Sequence, residues 1–387
     1  MLNWEQCKFE KLLDYDDGIR RGPFGSALKK EYFVQNSDYV VYEQNNAISN
    51  HFKTRYKITE EKFKELHKFE LLPGDFIMSG AGTIGRVSLV PPNISRGVIN
   101  QALIRIRLNE TTDSGYFLEW IMSPKMQRKL TETNPGSAMV NLVPMRELKN
   151  WKVKIPTVKE QIKISRLLNT LQKTISLHKR KLKIIDETIH ELREQLFSTK
   201  YIAGKKVKSE KMKLNDFLEE VIEHSNKENQ YPLLSSTNNG IETRSGRVSG
   251  SSNIGYKILR KNQLVLSPQN LWLGNININR DFEVGIVSPS YKVFDIKNIK
   301  IIYLENILKT ERMKYNFDKI SIQGASVVRR NLDMKEFLNL EVRVTQKNEQ
   351  EKLVKTFVQL RNIKFSLRSK IKILEKLKIL YLDKMFI

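Results

Sequence analysis

The segment SGAGTIGRVSLV contains glycines at a spacing that binds nucleotides in many enzymes. Gly80, Gly82 and Gly85 spell G-x-G-x-x-G, which cradles a dinucleotide pyrophosphate when a strand precedes the glycines and a helix follows them. DFIMS before them is a plausible strand, but RVSLVPP after them is β-branched and ends in two prolines, which is typical of a second strand. We therefore expect a turn between two strands, where glycine allows positive φ or a close backbone approach. Beside Arg86, such a turn is either purely structural or faces a nucleic-acid backbone.

Other residues that could catalyse or bind metals form no recognisable constellation. The five histidines are scattered, with no H-x-x-x-H pair, and the single cysteine, Cys7, excludes a disulfide framework and a Cys-based zinc site. We find no phosphate-binding G-x-x-x-x-G-K-[ST] loop, no Asn/Asp-Pro-Pro-aromatic motif and no catalytic triad order. The sequence therefore predicts no metal site, and no motif in it points to a cofactor or to catalysis.

The charge of the chain favours a polyanionic partner. Its 387 residues include 67 Lys and Arg against 43 Asp and Glu, a formal net charge of +24. A positive field of this size attracts nucleic acid, although a generally basic protein of an AT-rich genome is the alternative. The sequence shows no signal peptide and no apolar run long enough for a membrane span, so we expect a cytoplasmic protein.

The chain repeats itself. LLPGDFIMSGAGTIGRVSLV aligns with ILRKNQLVLSPQNLWLGNIN, 188 residues downstream, and later matches are offset by 189. Gly97 pairs with Gly285 and Gln161 with Gln350. Each copy begins with short strands punctuated by Gly, Pro, Asn and Ser and contains one helical insert, which indicates a mixed α/β domain in which β structure dominates.

Each copy ends in a long helix with apolar residues at heptad spacing. The first helix opens at Thr157, which we expect to form a capping box with Glu160. Its apolar seam is an unbroken 4-3-4-3 series, typical of a coiled coil: Ile164, Leu168, Leu171, Ile175, His178, Leu182, Ile185, Ile189, Leu192 and Leu196.

The second helix has a looser seam. We assign to it Leu353, Phe357, Leu360, Ile363, Leu367, Ile371, Leu374, Leu377, Tyr381 and Met385. Lys364 and Lys378 fall on strict heptad positions, so this seam either drifts or binds an additional partner. Since each seam needs an apolar partner, the two helices are expected to pack antiparallel. The fold class is therefore α+β, with two tandem mixed α/β domains separated by two long helices in an antiparallel coiled coil with pseudo-two-fold symmetry.

In this order of parts the sequence resembles the specificity (S) subunit of type I restriction-modification systems. The resemblance is carried by LLPGDFIMSGAGTIGRV, PTVKEQIKI, GIVSPSYKVF and QGASVVRRNLDMKEFLNLEV, and it covers essentially all of the chain. It departs in the second copy, where NLWLGN replaces the glycine motif and Gln346 replaces Thr157 and weakens the helix cap.

The resemblance implies two target recognition domains, each reading one half of a bipartite DNA site. They would span residues 1–156 and 200–346, followed by conserved helices at 157–199 and 347–387. The implied partners are double-stranded DNA, two methyltransferase subunits that methylate adenine N6, and restriction subunits that act as nuclease and translocase.

Loops held by a scaffold are the best candidates for DNA contacts, with Lys and Arg on phosphates and Arg, Lys, Asn and Gln on bases. In the first copy we predict contacts by Arg20, Arg21, Lys29, Lys30, Asn46, Asn50, Lys53, Arg55, Ser79, Thr83 and Arg86. In the second we predict Asn238, Asn239, Arg244, Arg247, Gln269, Asn270, Trp272, Arg329 and Arg330. The alternatives are a coiled-coil assembly scaffold that reads no DNA, or, with less support, a nucleotide-cofactor enzyme using the three glycines.

Overall fold

The chain is described by a computed structural model that covers residues 4–131, 143–197, 201–202, 205–206, 208–237, 240–244, 252–323 and 330–386. It divides into two compact units. Unit 1 comprises residues 1–178 and 370–387, and unit 2 comprises residues 179–369. Both boundaries fall inside the long helices, so each unit contains one half of each helix.

Unit 1 is built mainly from short strands. These are β1 (Trp4–Lys8), β2 (Ile19–Arg21), β3 (Phe33–Val34), β4 (Tyr39–Tyr42), β5 (Tyr56–Ile58), β6 (Phe76–Ser79), β7 (Val87–Leu89), β8 (Gly97–Ile99), β9 (Leu103–Ile106) and β10 (Lys152–Pro156). Its helices are α1 (Gln44–Ser49), α2 (Glu60–Glu65), α3 (Ser114–Ile121), α4 (Pro124–Thr131), α5 (Met145–Asn150) and the first half of α6 (Val158–Phe197).

Unit 2 repeats this plan. Its strands are β11 (Tyr201–Ile202), β12 (Lys205–Lys206), β13 (Ser209–Lys213), β14 (Leu218–Glu220), β15 (Leu234–Thr237), β16 (Gly240–Thr243), β17 (Lys257–Arg260), β18 (Leu264–Leu266), β19 (Ile276–Ile278), β20 (Val284–Val287), β21 (Lys292–Ile296), β22 (Ser321–Gln323), β23 (Arg330–Leu332) and β24 (Glu341–Thr345). Its helices are α7 (Ile301–Leu308), α8 (Glu311–Lys319), α9 (Met334–Asn339) and the first half of α10 (Lys347–Met385).

The two units share one sheet topology. Unit 1 has a four-stranded antiparallel sheet in the order β2-β9-β6-β7, and unit 2 has one in the order β14-β21-β18-β19. In each unit the first long strand pairs with the strand that precedes the long helix, β1 with β10 and β13 with β24. The duplication inferred from the sequence is therefore present in the structure.

The aligned glycines Gly97 and Gly285 occupy the same tight position in the two units. A Cβ at Gly97 would lie 2.2 Å from the backbone oxygen of Val40, and one at Gly285 would lie 2.2 Å from Cδ1 of Leu234. A backbone contact this short is not tolerated in proteins, so β8 needs glycine at Gly97, whereas a Cβ at Gly285 would require the Leu234 side chain to move.

Aromatic side chains fill the main core of each unit. In unit 1, the rings of Phe76 and Phe117 are fully buried with their centroids 5.0 Å apart. In unit 2, the ring of Phe337 is fully buried between Phe294 and Phe317, at centroid distances of 6.2 and 5.9 Å. By area, burial of one such ring stabilises the fold by up to about 4 kcal/mol.

The two long helices pack against each other in an antiparallel direction, as the sequence predicts. Within unit 1, Nζ of Lys378 on α10 lies 3.1 Å from Oε1 of Gln172 on α6. Within unit 2, Lys364 on α10 forms an ion pair with Asp186 on α6. From the first contact to the second, the residue number rises on α6, from 172 to 186, and falls on α10, from 378 to 364. The two helices therefore run in opposite directions.

The predicted seam of α6 is confirmed, whereas that of α10 needs one correction. Every predicted seam residue of α6 is buried or half-buried, with Leu168 at 0% and Ile175 at 3% exposure. On α10, Ile363 is 48% exposed, and the strict heptad position beside it, Lys364, is the half-buried one. The seam therefore keeps its heptad spacing, because an ion pair allows the lysine to occupy an inward position.

The N-terminus of α6 is capped in a modified way. The backbone N–H of Thr157 donates to Oε2 of Glu160 at 3.2 Å, which is one half of the predicted capping box. The Thr157 hydroxyl also donates to this carboxylate, at 3.1 Å, so we observe it bonded to Glu160 instead of to a free backbone N–H.

Candidate nucleic-acid interface

The three glycines form the turn of a β-hairpin. Ser79 ends β6, and its backbone oxygen accepts from the N–H of Gly85 at 2.9 Å, while its hydroxyl accepts from the N–H of Arg86 at 3.0 Å. Gly82 and Gly85 have φ values of +57° and +78°. Strand β7 follows directly at Val87, so no helix N-terminus lies where a pyrophosphate would bind. The predicted turn is confirmed, and the nucleotide alternative has no structural support.

Unit 2 has the same turn without the glycine motif. Gly274 has a φ of +86° and precedes β19 by two residues, as Gly85 precedes β7. A 3-10 helix, Pro268–Leu273, occupies the loop between Ser267 and this glycine. It leaves Gln269 exposed and Asn270 half-buried. The repeated feature is thus the left-handed glycine at the end of the loop.

Helix α1 supports the glycine turn of unit 1. The side-chain amide of Gln44 donates to the backbone oxygen of Ala81. Asn46 is 3% exposed, and its amide donates to the backbone oxygens of His51 and Lys53 at 2.7 and 3.0 Å. Asn46 therefore fixes the loop that follows α1, and its polar groups are used inside the protein.

Two clefts in unit 1 each bring three of the predicted contact residues together. One, of about 510 Å³, is lined by Asn46, Lys53 and Arg55, and the guanidinium of Arg55 forms a bidentate ion pair with Glu43 at 2.8 and 3.0 Å. The other cleft has a volume of about 850 Å³.

The larger cleft is lined by Asn50, Thr83 and Arg86, together with Lys378 of α10. All three loop residues are exposed, whereas Ser79 at the base of the turn is fully buried. Lys378 was not among our predicted contacts. Its signal in the sequence was a charge at a heptad position, which otherwise calls for an apolar residue.

The predicted basic loop near the N-terminus is only partly free. Nη2 of Arg20 in β2 lies 2.8 Å from Oδ1 of Asp17, and Nζ of Lys29 lies 3.6 Å from Oε1 of Glu31. Arg21, Lys29 and Lys30 are exposed, and Arg20 is half-buried.

Beneath this loop lies a buried ion-pair cluster that the sequence did not reveal. Arg105 is 1% exposed and forms an ion pair with Asp17, while Arg107 bonds to both Asp17 and Asp75, at 3.1 and 2.7 Å. Burial raises the pKa of Asp17, but the Arg20 hydrogen bond and the charges of the neighbouring arginines outweigh it and lower that pKa. The cluster holds β2 against β9 and so positions the loop.

In unit 2, Trp272 and Arg330 contact each other. The Arg330 guanidinium lies 4.2 Å from the centre of the Trp272 indole and forms an ion pair with Asp318. Nε1 of Trp272 is buried and has no hydrogen-bond partner among the described residues. Arg244, at the end of the β15–β16 hairpin, is exposed. Four further predicted contacts lie outside the described residues: Asn238, Asn239, Arg247 and Arg329.

In the part of the chain that the structure describes, no group of three His, Cys, Asp or Glu side chains is placed to hold a metal ion. None of the helices described combines the length and the apolar character that a bilayer crossing requires.

The comparisons with known proteins agree with this fold. Residues 22–187 match the family model of the type I restriction modification DNA specificity domain. No curated protein sequence matches the chain.

Two solved structures match over the whole chain. One is the S subunit of a type I restriction-modification system from M. genitalium, with a TM-score of 0.58 and 14% identity, covering 100% of this chain and 96% of that one. The other comes from a structure of complex assembly and conformational transition of the type I R-M system, with a TM-score of 0.57 and 14% identity, covering 100% and 98%. Residues 22–187 thus match the type I restriction modification DNA specificity domain, and over its whole length the chain shares the fold of these two solved structures.

Proposed function

We propose that this chain is the DNA-specificity subunit of a type I restriction-modification complex and reads a bipartite, asymmetric target. Each unit reads one half of the site, through a target recognition domain at residues 1–156 in unit 1 and 200–346 in unit 2. The loops of the two domains differ in sequence, so the two half-sites differ as well.

The observation that carries this proposal is the duplicated hairpin turn. The turns that end at Gly85 and at Gly274 occupy equivalent places in the corresponding four-stranded sheets of the two units, and each carries exposed polar side chains. The specificity-domain family model covers the first turn. Because the second copy keeps the scaffold and changes the loop, it is suited to reading a different sequence.

Exposure narrows the proposed contacts. The buried Asn46 and Ser79 position loops, so we assign DNA contact to the other predicted residues. The exposed ones are Arg21, Lys29, Lys30, Asn50, Lys53, Arg55, Thr83, Arg86, Arg244 and Gln269. The half-buried ones are Arg20, Asn270, Trp272 and Arg330. Asn238, Asn239, Arg247 and Arg329 remain proposed contacts on sequence grounds.

The long helices, residues 157–199 and 347–387, would dock the partner subunits. Their outer sides expose large apolar side chains: in unit 1, Leu177 at 50% and Ile373 at 58%, and in unit 2, Ile184 at 51% and Phe365 at 69%. Exposed apolar surface of this kind marks protein contacts. We assign it to two methyltransferase subunits that methylate adenine N6, joined by restriction subunits in the cytoplasm. Catalysis belongs to those partners.

Mapping of N6-methyladenine in cells with and without this chain tests the proposal. We expect a two-part motif with a nonspecific spacer to be methylated only when the chain is present. An unchanged methylation map, with the partner subunits expressed at equal levels, would contradict the proposal.

A further inference from the structure

Unit 2 contains a cationic cavity of about 230 Å³, and none of the residues that line it is among the proposed DNA contacts. It lies between the ends of α6 and α10 that belong to unit 2, helix α7, and strands β16 and β19. Two acidic side chains line it, Asp281 and Glu305. The cationic side chains that line it are Arg193, Arg280, Lys309, Arg361, Lys364 and Arg368.

Neutral side chains hold two of these cations in place. Nζ of Lys309 donates to Oδ1 of Asn277 at 2.7 Å, and Nε of Arg193 donates to Oδ1 of Asn306 at 3.2 Å. Burial lowers the pKa of Lys309; the charge of Glu305 raises it, and the charges of Arg193 and other nearby cations lower it. Burial also lowers the pKa of Arg193. Both cations are therefore held at an electrostatic cost, because burial disfavours their charged forms.

The acidic groups neutralise only part of this charge. Nη2 of Arg361 lies 2.6 Å from Oδ1 of Asp281, and Lys364 pairs with Asp186 of α6. Nη1 of Arg280 is buried and has no hydrogen-bond partner among the described residues. Burial also lowers the pKa of Arg280, although Glu305 raises it. A buried guanidinium nitrogen without an acceptor is costly unless a ligand completes its hydrogen bonds.

The first copy of the repeat shows that the fold does not need these cations. The register of the sheets aligns Arg280 with Pro91 of unit 1, and α7 aligns with α3 through Tyr303 and Tyr116, each the third residue of its helix. The alignment replaces three charged residues of the cavity by apolar ones: Glu305 by Leu118, Lys309 by Met122 and Arg193 by Leu382.

We propose that this cavity binds a phosphate group. A phosphate presents several acceptor oxygens and more than one negative charge, which matches converging guanidinium and ammonium donors. The volume is below the roughly 300–1,000 Å³ of pockets for drug-sized ligands, so a small anion fits better than a whole nucleotide. The phosphate comes either from a free anion, such as pyrophosphate, or from the backbone of bound DNA.

Titration of the full chain with inorganic pyrophosphate by calorimetry, at constant ionic strength, tests this. We expect saturable binding to the wild-type chain. Lys309→Met should weaken it by about tenfold, since one charge-assisted bond is lost. Glu305→Gln should tighten it by roughly threefold, because a repulsive charge is removed. Lys335→Met, an exposed lysine outside the cavity, is the matched control and should change nothing.

A competition experiment with duplex DNA identifies the source of the phosphate. If a duplex displaces pyrophosphate from the wild-type chain, the site takes a backbone phosphodiester. If it does not, the ligand is a free anion. The proposal is overturned if pyrophosphate shows no saturable binding and Lys309→Met also leaves DNA affinity unchanged. It is also overturned if Lys335→Met weakens binding as much as Lys309→Met, or if Glu305→Gln fails to strengthen it. Half-site discrimination is a separate readout, so failure here leaves the DNA-reading proposal standing.

Discussion

Gln161 and Gln350 make the same two hydrogen bonds at the start of the two long helices. The Gln161 amide donates to the backbone oxygen of Pro156 at 3.0 Å and accepts from the N–H of Asp113 at 2.8 Å. Gln350 donates to Thr345 at 2.8 Å and accepts from the N–H of Lys300 at 3.3 Å. Each glutamine thus ties the start of its long helix to two places: the end of the preceding strand, β10 or β24, and the start of a short helix, α3 or α7.

Replacing either glutamine should destabilise its unit. Gln161→Ala leaves the Asp113 N–H and the Pro156 oxygen without their partner in a buried site, where Gln161 is 2% exposed. We expect a loss of about 2 kcal/mol in the free energy of unfolding, measured with urea. The matched control is Gln359→Ala on the exposed side of α10. Equal effects of the two substitutions would show that the hydrogen bonds do not matter.

The ion-pair cluster of unit 1 predicts a specific sensitivity to acid. Because the folded-state pKa of Asp17 is lowered, this residue contributes stability above the ordinary aspartate pKa of about 4. That stability is lost as the pH falls through the folded-state pKa. Asp17→Asn should lower the free energy of unfolding by about 2 kcal/mol at pH 7 and reduce its fall below pH 4.

Urea denaturation over this pH range measures the effect. Asp16→Asn is the control, since Asp16 is exposed and forms no ion pair within the described residues. If the wild-type chain and Asp17→Asn lose stability in parallel as the pH falls, the cluster is not the source of the acid sensitivity.

Lys378 joins α10 to the body of unit 1 through a partly buried ion pair. Its Nζ lies 3.2 Å from Oε2 of Glu119, and the side chains are 19% and 16% exposed. Lys378→Met should cost about 3 kcal/mol, because it leaves a half-buried carboxylate unpaired. The double variant Lys378→Met with Glu119→Leu should recover most of this loss. A double-mutant cycle measured by thermal unfolding checks the coupling, and additive effects would argue against the pair.

The repetitive parts of the fold could be predicted from the sequence. Heptad spacing determines which face of α6 is buried, and the prolines after RVSLV exclude the helix that a nucleotide site requires. Ile363 was misassigned because spacing alone does not reveal that Lys364 finds a partner in Asp186. A seam assigned from the spacing of apolar residues leaves out a charged residue that faces inwards because it forms an ion pair.

Features that depend on distant contacts could not be predicted. The sequence placed Asn46 in a loop available to DNA, yet its side-chain amide donates hydrogen bonds to the backbone oxygens of His51 and Lys53. The lining of the cationic cavity comes from segments between Ile189 and Arg368 that are far apart in the sequence. No local sequence motif reveals that these charges come together. Comparison of the two copies would have drawn attention to Lys309, because the aligned residue of the first copy is the apolar Met122.

Half-site discrimination tests the central claim most directly. The chain, assembled with its methyltransferase partners, would be titrated with its mapped target and with duplexes in which either half is scrambled. We expect Arg86→Ala to remove discrimination at one half-site and Arg244→Ala, combined with Arg247→Ala, at the other, each with a cost of about 1–3 kcal/mol. If both variants lost discrimination at the same half, or equally at both halves, the assignment of one reader to each unit would be contradicted.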